Sequence, residues 1–278
     1  IPYDVGNSWR PGTRFGPREI RNYSTRYSGW GGSHQKGYWD INQNKRFLED
    51  ISMSDCGDVD VAYYDIERNR KIITQTVKKI LKAGTFPVVI GGDHSITYPC
   101  ICAFEDFKSL DIIQIDAHLD WIDEVDGIRY ANGSPMRRSM ELDFTNKMVQ
   151  LGIRCIRSRE SDYNFAKSQG SQIFTRQDIR QKGVDEIVEK LPPLGNVYVS
   201  IDIDGLDPSI APGTGSPTVD GLLYYEVINL LKGITKKSNV VGFDIVEVNP
   251  MVDLSGQTCL LATTLILEFL GMIFDQKN

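Results

Sequence analysis

Five short runs rich in β-forming apolar residues punctuate this chain: TFPVVIGG (85–92), LDIIQID (110–116), KMVQLGI (147–153), NVYVSIDID (196–204) and NVVGFDIVEV (239–248). Between them lie stretches of helical character. KIITQTVKKILKA (71–83) sets Ile72, Ile73, Val77, Ile80 and Leu81 at helical spacing, with Gly84 as a stop, and GVDEIVEKL (183–191) and LLYYEVINLLKGI (222–234) read the same way. Near-continuous apolar strands separated by helices require a parallel sheet covered on both faces, because only burial on two sides rewards such runs. At 278 residues the chain is near the upper limit for one core. It offers no convincing linker, so residues 1–278 read as a single domain. Residues 22–50 and 121–135 are the longest irregular stretches, and long loops in compact domains are often functional. The opening IPYDVG reads as the end of a strand whose beginning is missing.

Bulk properties exclude more than they identify. With 31 Lys and Arg against 37 Asp and Glu, the formal charge is −6, and the basic pairs are scattered, which argues against a nucleic-acid partner. No run of eighteen apolar residues and no signal peptide stands out, so no membrane span is expected. Five cysteines, Cys56, Cys100, Cys102, Cys155 and Cys259, show neither a metal framework nor a disulfide framework. Reduced, mostly buried thiols in a cytoplasmic protein are expected.

The chemistry gathers where strands run out, the edge at which open parallel sheets bind ligands. TFPVVI runs into Asp93 and His94, DIIQI into Asp116, His118 and Asp120, and VYVSI into Asp202 and Asp204. Side chains two apart on a strand share a face. Asp116, His118 and Asp120 therefore point together if the strand continues, and so do Asp202 and Asp204. Any one of these has an ordinary reading, a satisfied histidine or a helix cap. Asp207 before Pro208 reads as a turn residue, and Asp93 either orients His94 or caps the next helix. Six together, including two of only three histidines, are a different matter. Two imidazoles and four carboxylates on one edge are too costly to bury without cations, and they suit a pair of divalent ions. The oxygen-rich set favours Mn²⁺ over a thiolate-type zinc site, although Ni²⁺, Fe²⁺ or Co²⁺ would take the same donors.

GGDHS, DAHLD and SIDIDGLDP resemble the three metal-binding signatures of the ureohydrolase (arginase and agmatinase) family. IPYDVG, RPGTRFGPREIR, LGIR, APGTGSP and GFDIVEVNP follow that pattern in order and spacing, so the similarity runs from Ile1 to about Leu265 and is closest to agmatinase-like members. The resemblance implies an α/β fold, a three-layer α/β/α domain with a mostly parallel eight-stranded sheet. It implies two Mn²⁺ ions, a homo-oligomer (trimer or hexamer), and hydrolysis of a small guanidino-type substrate with release of urea. By the same resemblance His94 and Asp120 hold one ion, His118 and Asp204 the other, and Asp116 and Asp202 bridge both. Glu247 binds the guanidinium, and Asp120 carries a proton to the leaving amine.

One position departs from the family. Relatives carry a shuttle histidine in the loop after the second signature; here RYANGSPMRR places Asn132 there, and an amide cannot titrate. Its expected role is substrate binding. His34, the remaining histidine, lies in the long SGWGGSHQKGYWD loop. The substrate's tail is open at this stage: Asp123, Glu124 and Asp126 would attract an amine such as agmatine's, whereas Arg129, Arg137 and Arg138 would receive a carboxylate. The alternatives to an agmatinase-like activity are hydrolysis of another guanidino or formimino compound (guanidinobutyrate, guanidine) and a weak or inactive assembly subunit. The paired histidines of single-zinc deacetylases are missing.

Overall fold

The computed structural model describes residues 1–28, 37–62 and 64–276; His34 lies outside them. Six parallel strands form the central sheet: β3 (Val88–Ile90), β4 (Leu110–Ile115), β5 (Thr145–Ile153), β6 (Gln172–Thr175), β7 (Asn196–Asp202) and β8 (Asn239–Val246). Their order is β3-β8-β7-β4-β5-β6. Every residue of β4 is buried, as expected for a central strand covered on both faces. Two strands ahead of the sheet, β1 (Tyr38–Asp40) and β2 (Lys45–Phe47), make an antiparallel hairpin.

Helices cover both faces. On one side α1 (Gly16–Ser28), α8 (Tyr224–Lys237) and α9 (Gln257–Asp275) pack on one another over a core that includes Ile113, Val199, Phe243 and Phe269. On the other, α2 (Ile66–Lys82), α3 (Thr97–Cys102) and α4 (Pro135–Met140) cover Ile112, Tyr198 and Val246. Shorter α5 (Glu160–Ser168), α6 (Arg176–Lys182) and α7 (Val184–Glu189) fill the crossovers near β6. By length and composition α9 is apolar enough to cross a membrane, but Cys259, Ala262, Leu265 and Phe269 are buried in the domain core.

The three-layer architecture agrees with the sequence reading, and two details do not. The sheet has six strands among the described residues, not eight. Beside the β3 edge, Ile1 and Tyr3 exchange backbone hydrogen bonds with Ile90, Gly92 and Asp93, but a Tyr3 N–H to Ile1 carbonyl bond makes this segment a turn rather than a strand. Residues 22–50 are also not one irregular stretch. Their first seven residues complete α1, and residues 38–47 fold as the hairpin, whose Tyr38 lies against Gly271 of α9. Of the cysteines only Cys100 and Cys259 are fully buried, and Cys56 is exposed.

Strand order decides where a ligand can bind. The chain leaves β4 toward β5 on one side and leaves β7 toward β8 on the other, although β4 and β7 are neighbours. Their carboxyl ends therefore flank a crevice at a topological switch point.

Candidate metal centre

All six sequence-predicted ligands meet in that crevice. His94 Nδ1 lies 2.7 Å from Asp120 Oδ2 and 3.2 Å from both Asp116 Oδ2 and Asp202 Oδ2. His118 Nδ1 lies 3.1 Å from Asp204 Oδ2 and 3.5 Å from Asp116 Oδ1. Two groups able to hold an ion result, His94–Asp116–Asp120 and Asp116–His118–Asp204, sharing Asp116. All but His118 are buried.

The side chains converge for a reason other than the pleat. β4 stops at Ile115 and β7 at Asp202, so Asp120 and Asp204 are not strand residues. Asp116 Oδ1 instead accepts the His118 N–H at 2.6 Å, and Asp202 Oδ1 accepts the Asp204 N–H at 2.9 Å. Asp93 Oδ1 accepts the Ser95 N–H in the same way, at 2.9 Å. Each of these three ligand loops thus carries an aspartate that folds the next two residues back on itself. Asp93 caps the short turn His94–Ile96 in this way. Asp120 reaches the centre with φ +57°, a left-handed conformation that costs a non-glycine residue free energy and is concentrated at functional sites. Gly205 lets the two ligand loops touch, since a Cβ there would come within 3.0 Å of the Asp116 nitrogen.

Beneath the ligands runs a polar row that the sequence reading missed. Gln150 of β5, Gln114 of β4, Ser200 of β7 and Asp244 of β8 are register partners in succession, all fully buried. Gln114 Nε2 donates to Asp116 Oδ2 at 2.6 Å, and its own carbonyl accepts from Gln150, whose amide also donates to the Leu119 carbonyl at 2.8 Å. His94 Nε2 meets Ser200 Oγ at 2.9 Å, and Ser200 donates to Asp244 Oδ1 at 2.6 Å. Thr97 and Tyr198 donate to the other Asp244 oxygen. The signal in the sequence is a lone polar residue inside each otherwise apolar run, two before a ligand in the case of Gln114 and Ser200. Partners of this kind fix the ring orientation and tautomer of a ligating histidine. A Ser200→Ala variant is therefore expected to bind divalent metal about 10- to 100-fold more weakly, measured by titration of the metal-stripped protein; unchanged affinity would remove the row from the metal site.

The charges suit cations. Burial opposes a charge on either imidazole, yet the surrounding carboxylates outweigh it and hold both rings' pKa values up. Burial and neighbouring negative charge push Asp120 up to about 6 and raise Asp202 and Asp204 as well. Even two protonated histidines leave two negative charges in excess. Two divalent ions with neutral imidazoles balance four carboxylates fully, which is the protonation state ligation requires. His94 Nδ1 is buried and faces only carboxylate oxygens, as a ligating nitrogen would.

Glu247 stands at the edge of this cluster, buried and at φ +62°. Its Oε1 accepts from the His94 backbone N–H at 2.9 Å and from Asn132 Nδ2 at 3.3 Å, and its buried Oε2 has no partner. Burial pushes its pKa up to about 8. Asn132 is anchored by its own N–H to the Gly6 carbonyl. The loop charges are interlocked: Asp123 accepts from Arg138 at 2.7 Å and pairs with Arg129 and Arg137, and Glu141 pairs with the same three arginines. Arg154 clamps the outer loops by donating to the Asp204 and Thr218 carbonyls, each at 2.7 Å. Asp207 is the expected turn residue, accepting from Ser209 and Gly221.

A parallel α/β domain with a carboxylate and imidazole cluster at its switch point defines a class of metallohydrolase, and comparison with known proteins agrees. The chain belongs to the arginase family, whose sequence model matches residues 1–271. Its relatives include the agmatinase of Gallus gallus, 35% identical over all of this chain and 81% of that protein. The mitochondrial guanidino acid hydrolase of Homo sapiens is 35% identical over 97% of this chain and 76% of its own length. The solved structure of proclavaminate amidino hydrolase from Streptomyces clavuligerus superposes with a TM-score of 0.86 at 34% identity, covering 98% of this chain and 89% of the other. Within the family the chain is an agmatinase-like ureohydrolase.

Proposed function

We propose that this protein hydrolyses the C–N bond of a guanidino compound and releases urea, using two divalent ions held by His94, Asp116, His118, Asp120, Asp202 and Asp204. The observation that carries this reading is the neutral balance of four buried carboxylates and two imidazoles against two dications, beside a buried Glu247 with one unpartnered oxygen. Relatives named for agmatine and guanidino acids support the same reaction. When bound, such an ion pair lowers the pKa of a shared water so that it serves as nucleophile near neutral pH.

The chain's own residues supply the rest. Glu247 presents a carboxylate that can receive the guanidinium through parallel hydrogen bonds. By the family resemblance His94 and Asp120 would hold one ion and His118 and Asp204 the other, with Asp116 and Asp202 contributing to both; Asp116 is the residue that the two ligand groups share. Asp120 is also the acid placed to carry a proton to the leaving amine. Asn132, hydrogen-bonded to Glu247, orients the carboxylate that receives the guanidinium but moves no proton. Mn²⁺ is the proposed metal because the donors are mostly hard oxygens. A cytoplasmic homo-oligomer of three or six chains is proposed from the family resemblance.

The test is metal analysis together with urea release. About two divalent ions per chain and urea from a guanidino substrate are expected; a chain that binds no divalent ion would sink the reading. An Asn132→His variant should turn over faster, by about 10-fold or more, with unchanged metal content, since a positioned general acid commonly contributes about 10²–10⁴-fold. An unaltered rate would mean that proton delivery does not limit turnover at this position.

A further inference from the structure

The geometry points to Arg157 as the residue that anchors a carboxylate at the far end of the substrate, so that the substrate is an ω-guanidino carboxylate. This rests on the guanidino-hydrolase reading and names the substrate class within it. A cavity of about 350 Å³ opens beside His118, walled by Ser8 and Trp9 on one strand of chain, by Ser216 and Thr218 on another, and by Arg157. Both segments also close on Glu247. A Cβ added to Gly215 would meet Asn7 Nδ2 at 2.9 Å, Glu247 Oε2 at 3.1 Å and the Arg10 carbonyl at 3.3 Å. The walls that pack around the guanidinium acceptor at their inner ends therefore line the cavity at their outer ends. A guanidinium held at Glu247 can send its tail past Ser216 and Thr218 toward Arg157.

The charge along this path has one sign. No carboxylate side chain lines the cavity. Among the described residues Arg157 makes no ion pair, and Arg10 lies 4.1 Å from the Trp9 ring centre, a second positive charge beside the wall. Three acids in the neighbouring loops are engaged elsewhere: Asp207 by Ser209 and Gly221, Asp220 by Arg180, Asp123 by Arg138. An ammonium tail would face an arginine with no acid in the cavity wall. A carboxylate would meet a planar fork suited to bidentate pairing, with its methylene spacer over the Trp9 indole.

Urea release from 4-guanidinobutyrate, agmatine and n-butylguanidine compares anionic, cationic and neutral tails. The wild-type protein should prefer the anionic tail in kcat/KM and rank the cationic one last. Arg157→Gln should lower the ratio of guanidinobutyrate to butylguanidine by about 10- to 100-fold, the worth of a charged hydrogen bond, chiefly through KM. Arg157→Lys should restore part of it, and Arg157→Glu should shift preference toward agmatine. Calorimetry gives a readout independent of turnover: 4-aminobutyrate should bind the metal-loaded wild type more tightly than putrescine, and Arg157→Gln should erase the difference. Preference of the wild type for agmatine, or a ratio unmoved by Arg157→Gln, would overturn the carboxylate assignment and leave the hydrolase reading standing. No urea from any of the three tails, in protein carrying its metal, would overturn both.

Discussion

An Asp116→Asn variant is expected to retain fewer than two divalent ions per chain and to release urea at least about 10³-fold more slowly than the parent, because metal activation of water shifts its pKa from about 15.7 to about 7. Asp116 is the one residue common to both ligand groups, with one oxygen 3.2 Å from His94 Nδ1 and the other 3.5 Å from His118 Nδ1. Asparagine keeps the shape but removes the negative charge that both ions would share. The neighbouring control is Asp93→Asn. Asp93 is equally buried and also turns the chain beyond a strand, but it belongs to neither group, so this variant should keep its metal content. Atomic absorption on the two purified variants, alongside the urea assay, checks the contrast. Equal metal content and equal rate in Asp116→Asn would refute the shared-ligand role.

The second large effect separates substrate binding from metal binding. Glu247→Gln should keep both ions while losing about 10²–10³-fold in kcat/KM on a guanidino substrate, the range expected when one partner of a buried charge pair is removed. Glutamine preserves the oxygen that accepts from His94 and Asn132. What it removes is the charge on Oε2, the oxygen left without a partner in a buried setting that pushes the acid's pKa up to about 8. A guanidinium docked there supplies the missing positive charge. Retained metal with retained kcat/KM would place the substrate's guanidinium elsewhere.

The convergence of the candidate ligands was legible from sequence because each lies where an apolar run gives out and a parallel strand has to end. Their direction was not. The alternation argument needs Asp116, His118 and Asp120 on one continuous strand, whereas the pairing of β4 stops one residue before Asp116 and an aspartate turn takes over. Such turns depend on a two-residue hydrogen bond that leaves no periodic trace. The polar row of Gln150, Gln114, Ser200 and Asp244 was visible residue by residue but not as a row, because it exists only once four strands are set in register. The sheet count failed for a similar reason: eight strands came from the family resemblance, and edge pairing at residues 1–3 is decided by local turns rather than by apolar pattern. The arginines and Asp123 of the 123–138 loop illustrate a third limit, since their pairing depends on distance alone.

The pairing of β4 with β7 has a consequence for how the protein is made. Two of the ligand loops follow β4 and β7, whose sequences lie on either side of β5 and β6. A ribosome that has released everything through β6 has delivered His94, Asp116, His118 and Asp120 but nothing from the neighbouring strand. The polypeptide must then wait roughly thirty residues of further synthesis, a second or more at ordinary translation rates, before Asp202 and Asp204 can close the crevice. Metal capture by the complete centre is consequently a late event in biogenesis. A chain truncated before β7 should carry an incomplete, acid-rich pocket that competes poorly for ions in the cell.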